Sequence, residues 1–178
     1  MCFRFPIVLK HIQALIRGLI IPFMGLLLAL PISLTGCAEN SVPKIGETPP
    51  GISCNDVNGE YISLNRLKGS VVLIYFWSSS CCGDRLKQHE PWFSLNKYKG
   101  LSFLAVNVGD KENSVRLFAM NNGLTFTMLT DEHKMISRQY GVVGVPTIFI
   151  LDRNGVIRNK IVGDIDGAYL FKLVSRLL

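Results

Sequence analysis

The chain has 178 residues, a length that allows one ordinary domain with extensions. Hydrophobic residues make up 48% of it, which is enough for a core, and its formal net charge is +6. Its five unevenly spaced cysteines exclude a disulfide-stapled scaffold, and no pair of Cys-x-x-Cys units indicates zinc. No basic run interleaved with aromatic residues is present, so we expect no nucleic-acid partner.

The first 36 residues have the features of a secretory leader. Residues 1–18 contain Arg4, Lys10 and Arg17 but no acidic residue, and residues 19–34 form an apolar run. At about 16 residues that run is short for a membrane span and suits the apolar core of a signal peptide. Loss of this leader removes three of the 19 basic residues and none of the 13 acidic ones, which leaves a charge of +3.

The leader ends in Leu34-Thr35-Gly36-Cys37, which resembles the bacterial lipoprotein signal, where cleavage precedes a cysteine that is then lipidated. We therefore predict a signal peptide at 1–36, a lipidated, proline-rich tether at 37–50 and a domain at 51–178. The alternative is an uncleaved N-terminal anchor. Both interpretations place the domain on the periplasmic side of a bacterial membrane, in the cell envelope.

The domain begins with short strand candidates at 51–54 and 60–64, and Asn58-Gly59 between them predicts a β-hairpin. Cys54, in its first arm, is expected to be a small buried hydrophobic residue. Residues 71–77 are then seven apolar residues in succession, which is typical of a strand buried on both faces at the centre of a sheet.

Helical and extended patterns alternate after this strand. A helix over 82–99, interrupted at Pro91, is followed by a strand at 101–108 and a helix at 112–121. The remaining predicted elements are a short extended piece at 126–129, a short helix ending at Tyr140, strands at 147–151 and 156–162, and a helix at 166–178. The order predicts an α/β fold with a right-handed crossover and a terminal antiparallel hairpin in the same sheet.

These patterns, in this order, resemble a thioredoxin-like fold, with a central mixed sheet flanked by helices and an N-terminal hairpin. More narrowly, the chain resembles the extracytoplasmic, membrane-tethered thiol–disulfide oxidoreductases of the TlpA/ResA type. The segments that carry the resemblance are Asp56–Gly59, Val72–Trp77 leading to Cys81, Tyr98–Gly100, Val106–Val108, Tyr140–Val142, Gly144–Thr147 and Ile150–Gly155.

The resemblance implies the chemistry of a reactive thiol. Cys81 takes the position of the cysteine that attacks a partner protein's disulfide, and a helix N-terminus behind it favours the thiolate. The resemblance also implies that the Val145–Pro146 peptide bond is cis and lies beside the nucleophile, where it pairs with an extended substrate. The expected partners are protein thiols and disulfides, with no cofactor and no resident metal.

The sequence departs from this family at the second half of the usual motif. Asp84 stands in place of the resolving cysteine, Ser80 in place of a tryptophan, and Lys87 where a glutamate is common. The usual Cys-x-x-Cys disulfide therefore cannot form.

Four interpretations remain open at this stage. Cys82 resolves the mixed disulfide or forms a strained vicinal disulfide with Cys81. Alternatively, Cys81 acts alone and an outside thiol releases it. In the third, the site is redox-inactive and the fold serves as a binding or assembly module. In the fourth, the adjacent thiolates hold a soft metal such as Cu(I).

The residues before the cysteines do not match a peroxidase motif. Peroxiredoxins need Pro-x-x-x-Thr/Ser-x-x-Cys, but Ile74 or Tyr75 occupies the proline position, which disfavours a peroxidase.

His89 lies eight residues beyond Cys81, about 12 Å along a helix, too far for a direct Cys–His pair. We expect both His89 and His133 to be surface residues.

Overall fold

The computed structural model describes residues 42–178, so the predicted leader and Cys37 lie outside the described residues. The strands are β1 Ser53–Asn55, β2 Tyr61–Ser63, β3 Val71–Trp77, β4 Leu101–Val108, β5 Thr127–Asp131, β6 Thr147–Leu151 and β7 Ile157–Val162. The α-helices are α1 Gly83–Lys87, α2 Glu90–Asn96, α3 Glu112–Asn121, α4 Met135–Gln139 and α5 Gly167–Ser175. Short 3₁₀ turns at Leu64–Leu67 and Lys97–Lys99 precede β3 and β4.

Five strands form one mixed sheet in the order β5-β4-β3-β6-β7. Strands β3, β4 and β5 are mutually parallel, whereas β6 and β7 are added antiparallel. The pair β1 and β2 forms the separate N-terminal hairpin. The predicted α/β thioredoxin-like class is therefore confirmed, including the crossover from β3 to β4 and the terminal antiparallel strands.

Strand β3 supplies both faces of the sheet with core residues, and all seven of its residues are buried. Because successive side chains of a strand point to opposite faces, Leu73, Tyr75 and Trp77 enter one cluster with α1, α2 and α5. The residues between them, Ile74 and Phe76 among others, enter a second cluster on the other face. An uninterrupted apolar run is what a strand covered on both faces requires.

The predicted helix at 82–99 is interrupted, as the sequence indicated. The break falls at Gln88 and His89, between α1 and α2. Pro91 lies in the first turn of α2, where its missing N–H would have had no partner within the helix. The proline therefore begins the second helix instead of bending a continuous one.

The segment before the hairpin runs along the domain. The Gly46 N–H donates to the Ile157 carbonyl at 2.8 Å, and the Ile157 N–H donates back to Glu47 at 2.9 Å. The Tyr140 hydroxyl donates to the Pro50 carbonyl at 2.7 Å. Within residues 42–178, no helix is both long enough and apolar enough to cross a bilayer.

Two leucines on the first two helices test how much their buried side contributes to the stability of the fold. Leu86 on α1 is 0% exposed, whereas Leu95 on α2 is 74% exposed. We expect Leu86→Ala to lower the free energy of unfolding by about 2–5 kcal/mol, because it removes buried methyl groups and leaves a cavity. Leu95→Ala should change it by less than about 0.5 kcal/mol. Urea unfolding measures both, and equal losses would contradict the packing described here.

Candidate functional site

The loop between β3 and α1 is held by the end of the neighbouring strand. The Ser79 N–H and hydroxyl both donate to Asp110 Oδ2, at 3.1 and 2.8 Å, and the Asn107 amide donates to the same oxygen at 2.8 Å. Burial acts to raise the pKa of Asp110, but these hydrogen bonds outweigh it and hold the pKa below its usual value. A charged carboxylate thus fixes the loop that carries the cysteines.

The two cysteines of this loop lie in contact but in different environments. The Cys81 and Cys82 Sγ atoms are 2.8 Å apart, and both thiols are free. Cys81 is exposed, whereas Cys82 is 3% exposed and belongs to the core. Burial, and then the hydrogen bond with Cys81, raise the pKa of Cys82 to about 12. Cys82 therefore keeps its proton at neutral pH.

The loop before β6 completes the site. The Val145–Pro146 peptide bond is cis, as predicted. The Cys81 thiol donates to the Val145 carbonyl at 3.5 Å. The Gly163 N–H donates to the Pro146 carbonyl at 2.8 Å, which ties this loop to the end of β7. The structure thus brings together the four residues that the sequence singled out in the domain.

Asp84 and Lys87, two residues that depart from the usual family motif, form an ion pair on the surface of α1. Lys87 Nζ lies 2.6 Å from Asp84 Oδ1, and the Asp84 side chain is 91% exposed. The hydrogen bond from Lys87, together with its charge, lowers the pKa of Asp84. The carboxylate is therefore charged and engaged by Lys87, and acids are favoured in a first helical turn in any case.

The prediction that His89 is a surface residue is wrong, because its side chain is 6% exposed. The break between α1 and α2 turns it inward, where its ring lies 5.4 Å from the Tyr75 ring and 5.8 Å from that of Phe171. Burial, with the nearby Arg85 charge, lowers the pKa of His89 to about 4. His133 is exposed, as expected.

One sequence signal could have placed His89 in the core. It stands three residues after buried Leu86 and four before buried Phe93, which is the spacing of one helix face. Among the described residues its Nδ1 atom is buried and has no hydrogen-bond partner. A neutral imidazole therefore packs behind the cysteine loop, in the manner of an aromatic ring.

Two open spaces flank the cysteine loop. One has a volume of about 240 Å³, and the Arg85–Asp164 ion pair, 2.5 Å long, lies among its lining residues. The other has a volume of about 500 Å³ and includes Val145 in its lining. Its other lining residues include Ser78, Ser80, Asp110, Lys134 and Arg138. An exposed thiol between two depressions can be approached by an extended chain.

Comparison with known proteins agrees with this geometry. Residues 45–160 match the model of the AhpC/TSA family. The thiol-disulfide oxidoreductase ResA of Geobacillus kaustophilus is 32% identical over 127 residues, which is 70% of this chain and 73% of that protein. ResA of Geobacillus thermodenitrificans is 28% identical over 156 residues, or 86% of this chain and 90% of that protein.

A solved structure shows the same fold. The thiol:disulfide interchange protein of the thioredoxin family from Chlorobium tepidum has a TM-score of 0.67 with this chain. It is 21% identical, and the match covers 77% of this chain and 97% of that one. At this identity the likeness establishes the arrangement of strands and helices.

The buried histidine should make the fold sensitive to mild acid. The pKa of His89 is about 4 in the folded chain and near 6.5 when unfolded, so the unfolded state binds the extra proton between these values. The stability it contributes is complete above pH 6.5 and declines as the pH falls to 4, by on the order of 3 kcal/mol. His89→Gln should flatten this dependence in urea unfolding at stepped pH.

The exposed histidine provides the control. His133→Gln should leave the pH dependence of unfolding as it is in the parent chain, because that side chain is in solvent in both states. If both variants show the same slope as the parent between pH 4 and 6.5, His89 does not titrate as described.

Proposed function

Since the chain belongs to the AhpC/TSA family and is a thioredoxin-fold protein of the TlpA/ResA type, we propose that it exchanges thiols and disulfides with other proteins through Cys81. The observation that carries this proposal is the position of the Cys81 sulfur. It is exposed, lies 2.8 Å from a second thiol and is 3.5 Å from the carbonyl that precedes the cis-proline.

The first step is attack on a substrate disulfide. The Cys81 thiolate bonds to one substrate sulfur, the substrate disulfide breaks, and the second substrate sulfur leaves as a thiolate that takes up a proton. In the structure the Cys81 S–H donates toward the Cys82 sulfur, 2.8 Å away. Once Cys81 is a thiolate, the Cys82 S–H can donate a hydrogen bond to it before attack. Its raised pKa suits it to this donor role, because it stays protonated at neutral pH.

The second step frees Cys81 from the mixed disulfide. Attack by Cys82 would leave a vicinal disulfide, whereas attack by an outside thiol would leave Cys81 reduced and a disulfide on the departing partner. The thiolate is the attacking species, and Cys82 is buried with a pKa of about 12. These properties favour release by a thiol from a partner protein.

The loop of Val145 and Pro146 is proposed to hold the substrate. Its backbone runs beside Cys81, and Gly163 fixes it from the other side. A substrate strand paired to this backbone would present its disulfide to Cys81, a form of strand addition. Recognition through backbone atoms accommodates many side chains, which suits protein substrates.

We also propose that the mature protein is a lipoprotein attached through Cys37 at the periplasmic side of a bacterial membrane. The apolar run at 19–34 and the tetrapeptide that ends in Cys37 support this assignment. Disulfide exchange is also chemistry of an oxidising compartment.

A non-catalytic binding module is the second candidate. The exposed ion pair of Asp84 with Lys87 favours it, because Asp84 occupies the position where the family carries its resolving thiol. In that case the open space lined by Val145, beside the cis-proline, would bind a partner without electron transfer. Peroxidase chemistry has less support, since Ile74 and Tyr75, at the two alternative proline positions, are strand residues in the core.

Substitution of each cysteine separates these functions. Cys81→Ser should lower reduction of an insulin disulfide by at least about a hundredfold, because the nucleophile is lost. Cys82→Ser keeps a hydrogen-bond donor and should lower it by less than about tenfold. Half-buried Cys54 offers the matched control, and Cys54→Ser should leave the rate unchanged. Alkylation and mass mapping before and after reduction would show whether a Cys81–Cys82 bridge forms.

The outcomes distinguish the candidates. Equal inactivity of the parent chain, Cys81→Ser and Cys82→Ser would end the enzymatic proposal and leave the binding module. A Cys82→Ser variant that accumulates the mixed disulfide even with excess external thiol would identify Cys82 as the resolving residue.

The anchor is tested by mass spectrometry of the protein purified from bacterial membranes. We expect a mature chain that begins at Cys37 and carries added acyl mass, and we expect Cys37→Ser to block processing. Retention of Met1 in the mature protein would overturn the lipoprotein assignment. The uncleaved-anchor alternative would then take its place.

A further inference from the structure

Three loops meet at the end of the domain that lies opposite the cysteines. The Gly69 N–H donates to the Arg153 carbonyl at 2.8 Å, and the Arg153 guanidinium donates back to Gly69 at 2.9 Å. The Val71 N–H donates to the Gly100 carbonyl at 2.8 Å. The starts of β3 and β4 and the turn after β6 therefore share one end, and the C-terminus joins them, since Arg153 also bonds the Leu178 carbonyl.

This end carries a surplus of positive charge. We call it the basic end and define it by Arg66, Lys68, Lys97, Lys99, Arg153 and Arg176. None of these six takes part in the four ion pairs found within residues 42–178. The carboxylate of Asp152 lies here but pairs with Arg158, and the exposed Glu47, whose carbonyl accepts the Ile157 N–H, offsets one charge.

Exposed aromatic and aliphatic side chains accompany these charges. Tyr98 is 88% exposed, Leu95 is 74% exposed and Tyr61 is 54% exposed. The Arg66 guanidinium lies over the Tyr61 ring at 5.4 Å, and Lys97 Nζ lies 5.3 Å from the centre of the Tyr98 ring. Long cationic and tyrosine side chains with apolar bodies and polar tips suit the boundary between water and lipid.

The other end of the domain carries charges of both signs. Asp84, Asp110, Glu132, Asp164 and Asp166 lie around the cysteine loop, and so do Arg85, Lys87, Lys111, Lys134 and Arg138. The seven residues of β3 separate the two ends by about 23 Å, at about 3.3 Å per residue. This distance exceeds the Debye length of about 8 Å at physiological salt, so a charged surface would act on one end at a time.

We propose that the basic end binds the surface of an anionic lipid bilayer. Four to eight clustered basic residues are the usual signature of such recognition, and the basic end has six. The span from Cys37 to Val42 can cover at most about 18 Å, so lipidation at Cys37 would keep one face of the domain close to the bilayer. Charge complementarity selects the basic end, and Cys81 then faces away from the membrane toward its substrates.

Vesicle co-sedimentation tests this surface without the anchor. The chain from residue 38 onward is used, because both core clusters lie within residues 52–178. The probes are vesicles of phosphatidylcholine alone and vesicles containing phosphatidylglycerol. We expect binding to the anionic vesicles only, and a triple Lys68→Gln, Lys97→Gln, Lys99→Gln variant should bind roughly a hundredfold more weakly, at about fivefold per charge.

A triple variant at the far end is the matched control. Lys111→Gln, Lys134→Gln and Arg138→Gln remove the same charge from exposed positions near the cysteine loop, and should weaken binding by no more than about twofold. Equal loss in both triples would overturn the proposal, because net charge alone would explain it. Equal binding to neutral vesicles, or tighter binding to duplex DNA, would also overturn it. Cys81→Ser should bind vesicles like the parent, so this result is independent of disulfide exchange.

Discussion

The central strand β3 is the constraint on which the rest of the structure depends. It is buried on both faces, and it is hydrogen-bonded to β4 along one edge and to β6 along the other. Packing and strand pairing together therefore fix its position. The register pairs Phe76 with Thr147 and Trp77 with Asn107. The loop that carries Cys81 therefore leaves the sheet beside the loop that carries Pro146. The geometry of the candidate site follows from strand pairing, and the loops need only short connections.

Local sequence patterns were enough to predict the central buried strand and the helix break that follows it. The apolar run of β3 identified a strand covered on both faces because burial on both faces removes alternation from a sequence. The cis peptide before Pro146 and the proximity of that loop to Cys81 came from the family resemblance, and the structure confirms both. The pattern of residues also located the interruption at Pro91, although the chain breaks at His89, two residues earlier.

Features that depend on contacts between distant segments were not predictable in the same way. His89 is buried because two helices separate there and α5 covers it. The spacing from Leu86 and Phe93 points to the same side of the chain, but it does not show that α5 packs over that side. Asp110 anchors the cysteine loop from 31 residues away, through Ser79. Burial and pairing of this kind depend on tertiary structure, which overrides local propensity.

The adjacency of Cys81 and Cys82 has a consequence that a Cys-x-x-Cys spacing does not have. Both residues lie in the turn before α1, outside the helix itself. In this turn Cys81 is in solvent and Cys82 is in the core, with their sulfur atoms still 2.8 Å apart. A thiol in the core keeps its proton, whereas a thiol in solvent is accessible to another molecule. The two cysteines are thus unequal in exposure, which supports the proposal that Cys81 is the nucleophile and Cys82 its protonated neighbour.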